Sequence, residues 1–424
     1  MEKNLTHGSV FKNIVFFSLP YLLSYFLQTL YGMADLFIIG QFASVADTTA
    51  VSVGSQIMHM LAVMIVGLAM GTTVSIANAV GAGDRKRAAQ SIGNTVTPQA
   101  VASTVSYLTV CFLGIPFITA YNILASVFRG MGDSKSPMYF IAVACVCNIG
   151  LDFLFIGALG LGPVGAALGT TLSQTVSVAL SLCVIVKKRS IGLSKSDFKP
   201  KKAVMRRLLS IGLPVAAQDG LIQIASIVIT VIANSRGLNT AAAVGIVEKI
   251  IGFVFLVPSS LLSAVSALGA QNIGAGKPQR AVRTLRDSIF LAVGFGIVCT
   301  VGVQFCAERL VALFTDETAS GGAEVVRLGG QYLRGYIFDC IFAGIHFCFS
   351  GYFCAMGKSV LSFVHNILAV VLVRIPGAYL CAKRFLQTLF PMGLATVCGS
   401  VLSVLICLVA YFALKKRKNA SKTT

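Results

Sequence analysis

Four polar side chains set in apolar stretches carry the chemical signal of this sequence: Asp35, Asn148, Asp152 and Thr170. Asn148 and Asp152 stand four apart, so on a helix the amide and the carboxyl share one face, a turn from each other. An amide oxygen, a carboxylate and a hydroxyl are hard donors that suit Na⁺, and a carboxyl in a low-dielectric cavity can also take up a proton. The same groups could instead form a polar cluster that hydrogen-bonds helices together. An acid at membrane depth costs about 2.5–3.5 kcal/mol on insertion scales, which makes it a functional candidate by default.

The chain has fifteen acidic residues, so each can be placed. Asp35, Asp152, Asp219, Glu248 and Asp339 fall at membrane depth; the others sit in loops, tails or span ends. Glu248, Asp339 and Arg374 are secondary candidates. Glu248 has Lys249 beside it, and Arg374 is a mid-span base that could pair with one of the C-terminal acids. Asp219 reads as evenly functional or structural, and His346 as a packed polar side chain rather than a proton relay.

No metal site is expected beyond Na⁺ at Asp35, Asn148 and Asp152. The twelve cysteines are scattered, and Cys145 and Cys147 form only a C-x-C pair, so they read as buried apolar thiols. With no catalytic motif or nucleotide-binding loop, neither an enzyme nor an ATP-driven pump is expected. No cofactor is implied; the coupling ion would be H⁺ or Na⁺.

The elements that position these groups follow from composition. Of 424 residues, 56% are hydrophobic and 12% charged, with a mean hydropathy of +0.84. Soluble domains carry about 25% charge, so most of this chain faces lipid or other apolar helices. Apolar runs of about 20 residues or more suit helices that cross a bilayer and are too long for barrel strands. The expected fold is an all-α membrane protein with eleven spans: 12–40, 50–80, 105–128, 137–160, 163–187, 207–235, 240–271, 287–307, 328–353, 359–383 and 389–414. The first run, Phe11 to Gly40, is too long for a cleaved signal peptide, so its span is expected to stay in the mature protein.

A net charge of +19 could suggest nucleic acid, but the bases cluster beside spans. They occupy Arg85–Arg87, Arg129–Lys135, Lys187–Arg207, Lys277–Arg286 and Lys415–Lys418. Such clusters read as cytoplasmic loops, and both termini are expected on that side. Anionic membrane lipid, not nucleic acid, is the expected electrostatic partner.

The chain also repeats itself. Gly81-Ala82-Gly83 returns as Gly274-Ala275-Gly276, 193 positions on, each after an apolar run and before a basic segment. Ser18-Leu19-Pro20 matches Gly212-Leu213-Pro214, and Ala50-Val51 matches Ala243-Val244. Beyond the loop the spacing changes: Tyr107-Leu108 matches Tyr332-Leu333, and Met131-Gly132 matches Met356-Gly357, 225 positions on. The first copy is thus about 32 residues short between Arg87 and Tyr107, the length of one helix and its loop. The expected organisation is an N-lobe over 1–190 with five spans, a cytoplasmic linker over 191–206 and a C-lobe over 207–424 with six. Repeats of this kind place a substrate path between the lobes. Asp35 aligns near Ile229 and Asp152 near Gly377, so neither acid has a counterpart. An ion site confined to the N-lobe follows.

These residues together resemble the multidrug and toxic compound extrusion family. The likeness rests on the Ser-Leu-Pro opening, Asp35 followed by Ile38-Ile39-Gly40, and the basic Gly-Ala-Gly loop. It continues in Phe128-Arg129-Gly130-Met131-Gly132-Asp133-Ser134, the segment Asn148 to Ile156, and Gly165-Ala166-Ala167-Leu168-Gly169-Thr170. The resemblance implies a monomeric plasma-membrane antiporter that exports small amphipathic, often cationic organic compounds against H⁺ or Na⁺. Asp35, Asn148, Asp152 and Thr170 would be its cation site, and Pro20 a hinge where a helix hydrogen bond is absent. The family has twelve spans, so one helix of the N-lobe is missing. Two other readings are a lipid-linked precursor flippase of the same superfamily and a degenerate copy that no longer transports.

Overall fold

The structure, a computed structural model, describes residues 5–42, 66, 69–95, 115–188, 201–315 and 321–423. Every regular element among them is a helix. That is what an apolar chain in lipid requires, since each segment must satisfy its own backbone hydrogen bonds.

In the first copy of the repeat lie α1 (Val10–Phe42), α2 (69–81), α3 (Arg85–Thr95), α4 (Ile115–Gly130), α5 (Lys135–Asp152) and α6 (Gly162–Lys188). A π-helical segment, Phe153–Ala158, extends α5. The second copy holds α7 (Lys202–Asn234), α8 (Leu238–Val254), α9 (Leu256–Gly274), α10 (Pro278–Ala312), α11 (Gly322–Tyr336) and α12 (Asp339–Ala355). After them come α13 (Ser359–Ala369), a second π segment (Val370–Arg374), α14 (Ile375–Arg384) and α15 (Phe390–Thr423).

Among the described residues, eight helices are long and apolar enough to cross a membrane. The number is nine if α11 and α12, bent by 45° at their junction, form one broken span. These nine correspond to the expected spans at 12–40, 137–160, 163–187, 207–235, 240–271, 287–307, 328–353, 359–383 and 389–414. The expected spans at 50–80 and 105–128 lie partly outside the described residues. So does most of the linker at 191–206. The shortened interval, 88–106, begins within α3, and its remainder also lies outside.

Packing divides the chain into two units. One comprises Met1–Ala217, Ser263–Thr284 and Cys354–Gly357; the other comprises Gln218–Leu262, Leu285–Phe353 and Lys358–Thr424. The first has a core of Ile76, Tyr121, Phe128, Phe140 and Ile141 from α2, α4 and α5. The second is centred on Val247, Val311, Tyr332, Leu333 and Ile337. Large apolar side chains such as Val146, Phe290, Val298, Phe305 and Val409 are exposed, as lipid-facing positions of spans should be.

The Gly-Ala-Gly loops are alike in structure as well as sequence. Gly83 and Gly276 both have positive φ, +72° and +70°, and end their helices in the same left-handed turn. In the first unit the loops also pack on each other reciprocally. A Cβ at Gly81 would overlap the Gln271 backbone, and a Cβ at Gly274 would overlap that of Asn78. Asn78 and Gln271 are themselves 193 positions apart, so the contact is repeated by the symmetry of the duplication. Only residues without a side chain allow the backbones to close this far.

Candidate ion-binding site

The i,i+4 spacing of Asn148 and Asp152 puts both on one face of α5, and that face is turned inward: both residues are 0% exposed. What receives them is α6. Gly165 and Gly169, one turn apart, form a small-residue stripe facing α5 and its π segment. A Cβ at Gly165 would lie 3.1 Å from Phe155, and one at Gly169 would overlap Asp152 Oδ1 and lie 3.6 Å from Asn148 Nδ2. Carboxylate and amide therefore converge on one point of bare α6 backbone.

The local helix geometry changes at the same place. The π segment starts immediately after Asp152, with Leu159 donating to the Leu154 carbonyl at 2.9 Å. A wide turn of this kind shifts the helix face that follows it, and such turns recur at functional sites. Among the described residues, neither Nδ2 nor Oδ1 of Asn148 has a hydrogen-bond partner. A buried polar group left so costs about 1–3 kcal/mol, and a bound cation could take up the amide oxygen.

Thr170 follows Gly169 on α6 and is half-buried; Ser173 Oγ donates to its carbonyl at 2.8 Å. Asp35 lies in α1, which packs along α5, its π segment and α6, but its side chain lies outside the described set. Pro20 sits within α1, and Ser24 Oγ donates to its carbonyl at 2.9 Å. The helix thus runs through the proline with a backbone donor missing and a side chain engaged nearby.

The secondary candidates fall into the second unit. Arg374, at the end of the second π segment, donates from Nη2 to Asp339 Oδ2 at 2.9 Å; the acid is fully buried and the arginine half-buried. Of the acids open to Arg374 in sequence, Asp339 is its partner. Glu248 accepts from Ser226 Oγ at 3.0 Å and from Tyr332 at 3.5 Å. Lys249, its neighbour in sequence, projects elsewhere by the geometry of a helix. Asp219 is half-buried on α7.

Sequence reasoning missed two groups. Gly169 was in view as part of a motif but not as the seat of the carboxylate; its spacing from Gly165 was the available signal. Arg129, counted among loop bases, is instead 4% exposed at the end of α4, with its guanidinium 4.1 Å above the Tyr21 ring. No cluster of three or more His, Cys, Asp or Glu able to hold a metal occurs among the described residues.

A buried acid–amide pair on membrane helices is a functional candidate, and comparison with known proteins identifies the family. The MatE family model matches residues 20–105 and 214–380, more than half of the chain and parts of both repeats. The chain belongs to the MatE family. A second model, the lipid II flippase MurJ, matches residues 93–217.

Similar to this MatE member is the probable multidrug resistance protein YpnP of Bacillus subtilis, 28% identical over 88% of each chain. The multidrug export protein MepA of Staphylococcus saprophyticus is 25% identical, covering 94% of this chain and 91% of that protein. A MATE crystal structure in the straight conformation superposes with a TM-score of 0.85 at 22% identity, over 99% of both chains. An outward-facing MATE transporter of the MOP superfamily gives 0.84 at 22% identity, over 99% and 98%. The MatE fold of this chain is therefore that of a multi-pass α-helical membrane transporter.

Proposed function

We propose that the protein is a multidrug efflux antiporter of the plasma membrane that exports small amphipathic, often cationic organic compounds in exchange for inward H⁺ or Na⁺. The observation that carries this reading is the meeting of Asn148 and Asp152 at Gly169. A carboxylate and an open amide, both fully buried, make a place where one positive charge binds with gain. The names of the multidrug relatives supply the class of cargo. Asp35, on the helix packed against α5, is the third member of the site, and Pro20 is the point at which α1 bends between states. Basic loops and both termini face the cytoplasm, and the protein works as a monomer.

Ion and cargo occupy the protein on different strokes, since binding of either must shift the same two-state equilibrium in opposite directions. The test is efflux of a fluorescent organic cation from cells and from vesicles. Asp152→Asn and Asp35→Asn should each bring coupled efflux to the background level while the protein still inserts. Coupled efflux undiminished in both would sink the assignment.

The MurJ match over residues 93–217 keeps a second reading in view, a flippase for a lipid-linked precursor. A vesicle flip assay with a fluorescent polyprenyl diphosphate, negative while organic-cation export is positive, decides between them. Inactivity in both assays would mark a copy that no longer transports.

A further inference from the structure

One buried charge stands outside both the N-lobe acid site and the Asp339–Arg374 pair. Arg129 occupies the last turn of α4. A helical side chain leans back toward the N-terminus of its helix, which here is away from the loop and into the first unit. Arg129 is 4% exposed, and its guanidinium lies 4.1 Å from the centre of the Tyr21 ring on α1. Tyr25, one turn on, meets Tyr21 edge to face at 4.9 Å and donates its hydroxyl to that of Tyr21 at 3.5 Å. Ser263 of α9 stands beside Tyr25, and its buried Oγ has no hydrogen-bond partner among the described residues. All four residues belong to the first unit. Tyr25 is half-buried and marks the side on which the cluster is open.

What this cation lacks is an anion. Among the described residues no carboxylate pairs with Arg129, and no acceptor takes the N–H groups of its guanidinium. The nearest acid in sequence, Asp133, is engaged by the first turn of α5. It accepts from the backbone N–H groups of Lys135 at 3.1 Å and Ser136 at 3.0 Å, and from Ser136 Oγ at 2.6 Å. A buried cation left alone costs more than one aromatic face returns. Nor does the repeat demand the pair. Matching Met131 to Met356 sets Cys354 against Arg129, and matching Pro20 to Pro214 sets Val215 against Tyr21. Cys354 and Val215 are both buried, so the second copy folds with neither the charge nor the ring at these positions.

We propose that Arg129, Tyr21, Tyr25 and Ser263 form a binding site for a phosphate group. The guanidinium offers a planar fork of N–H donors that matches two phosphate oxygens. Tyr21 accepts from Tyr25 and so keeps its own hydroxyl hydrogen to donate, and Ser263 supplies another. A carboxylate would fill the fork alone, whereas the further oxygens of a phosphate meet these hydroxyls. Two sources share this chemistry, the headgroup of an anionic phospholipid and free inorganic phosphate. Arg129 begins the basic segment Arg129–Lys135, and basic pockets between spans hold anionic headgroups. Because Tyr21 follows Pro20, an occupied site ties α1 to α4 at the residue after the proline. The site does not depend on the antiport reading, and it gives an anionic ligand to a protein whose proposed cargo is cationic.

The test is the ligand-dependent thermal shift of the purified full chain in detergent. The probes are phosphatidylglycerol against phosphatidylcholine, and inorganic phosphate against chloride at equal ionic strength. A rise in Tm with phosphatidylglycerol alone assigns the lipid, and a rise with inorganic phosphate assigns the free anion. Arg129→Lys keeps the charge but loses the fork, and Tyr21→Phe keeps the ring face but loses the hydroxyl. Each removes a hydrogen bond to a charged group and should raise the half-saturating concentration by about tenfold. Lys415→Gln with Lys416→Gln, at exposed positions of α15, should leave it unchanged. A loss of the shift in that double variant as large as in Arg129→Lys would mean that surface charge alone attracts the ligand, and would overturn the site. So would no shift with either probe, or a half-saturation in Arg129→Lys and Tyr21→Phe equal to that of wild type. Should Arg129→Lys fail to fold, Tyr21→Phe decides.

Discussion

The last span but one of each repeat seats a charged group beside a glycine of the last, yet the two charges have opposite sign. In the first copy Asp152, at the edge of a π segment, lies against Gly169 of α6. In the second, Arg374, within a π segment, lies against Gly399 of α15, where an added Cβ would be 3.3 Å from its Cγ. The cation is matched internally, since Asp339 accepts from Arg374 at 2.9 Å. Beside the acid, the amide of Asn148 is open among the described residues. A charge neutralised by its own fold keeps its geometry without a ligand, whereas the open amide beside the acid is the group that, on the proposed function, takes one up. On the proposed function, the first copy is the responsive half and the second the fixed one.

The largest effect should come from breaking the fixed half. Arg374→Met leaves Asp339 buried without its cation, and removing one partner of a buried pair costs about 3–5 kcal/mol. Thermal unfolding in detergent should show a clear drop in Tm. Adding Asp339→Asn should recover part of it, because no buried charge then remains. An Arg374→Met variant as stable as wild type would erase the contrast between the lobes.

In the responsive half, function should suffer more than stability. Gly169→Ala places a methyl where Asp152 Oδ1 now lies. The displaced atom is the far end of a side chain, so the helices need move little. Misplacing a reacting group by about 1 Å can cost about a hundredfold, and efflux should fall by tenfold to about that limit. Gly165→Ala, one turn away, meets Phe155 at 3.1 Å instead of the carboxylate. That variant should lose more in Tm than in efflux, and equal losses at both positions would deny Gly169 a special part.

Much of this arrangement was legible in the sequence, for reasons of period. The four-residue spacing of Asn148 and Asp152 gave their shared face, and the recurrence of Gly-Ala-Gly gave the duplication that the reciprocal packing of Gly81 and Gly274 bears out. Helical periodicity states which face a residue occupies but not which helix lies opposite. Arg374 could have met any of several acids, and only packing across 35 positions chose Asp339. Glu248 found Tyr332, 84 positions away, instead of adjacent Lys249. The π segments left no trace, because an extra residue per turn answers to tertiary packing rather than to propensity. Arg129 was misplaced for the opposite reason: charge density near a loop suggested solvent, while an aromatic face was available inside.

The smallest effect is expected at Gly399, which lies beside Arg374 as Gly169 lies beside Asp152. An alanine there would approach Arg374 Cγ at 3.3 Å and the Ala369 carbonyl at 3.5 Å, contacts that a few tenths of an ångström would relieve. Against that crowding stands the entropy gained by replacing a helical glycine, about 0.5–1 kcal/mol. The two nearly cancel, so Gly399→Ala should leave Tm almost unchanged. Efflux should also hold, because Arg374 stays locked by Asp339 whether or not its aliphatic stem shifts. An efflux loss at Gly399→Ala as large as at Gly169→Ala would mean that the arginine itself moves during transport, and the C-lobe would then count as a second responsive half.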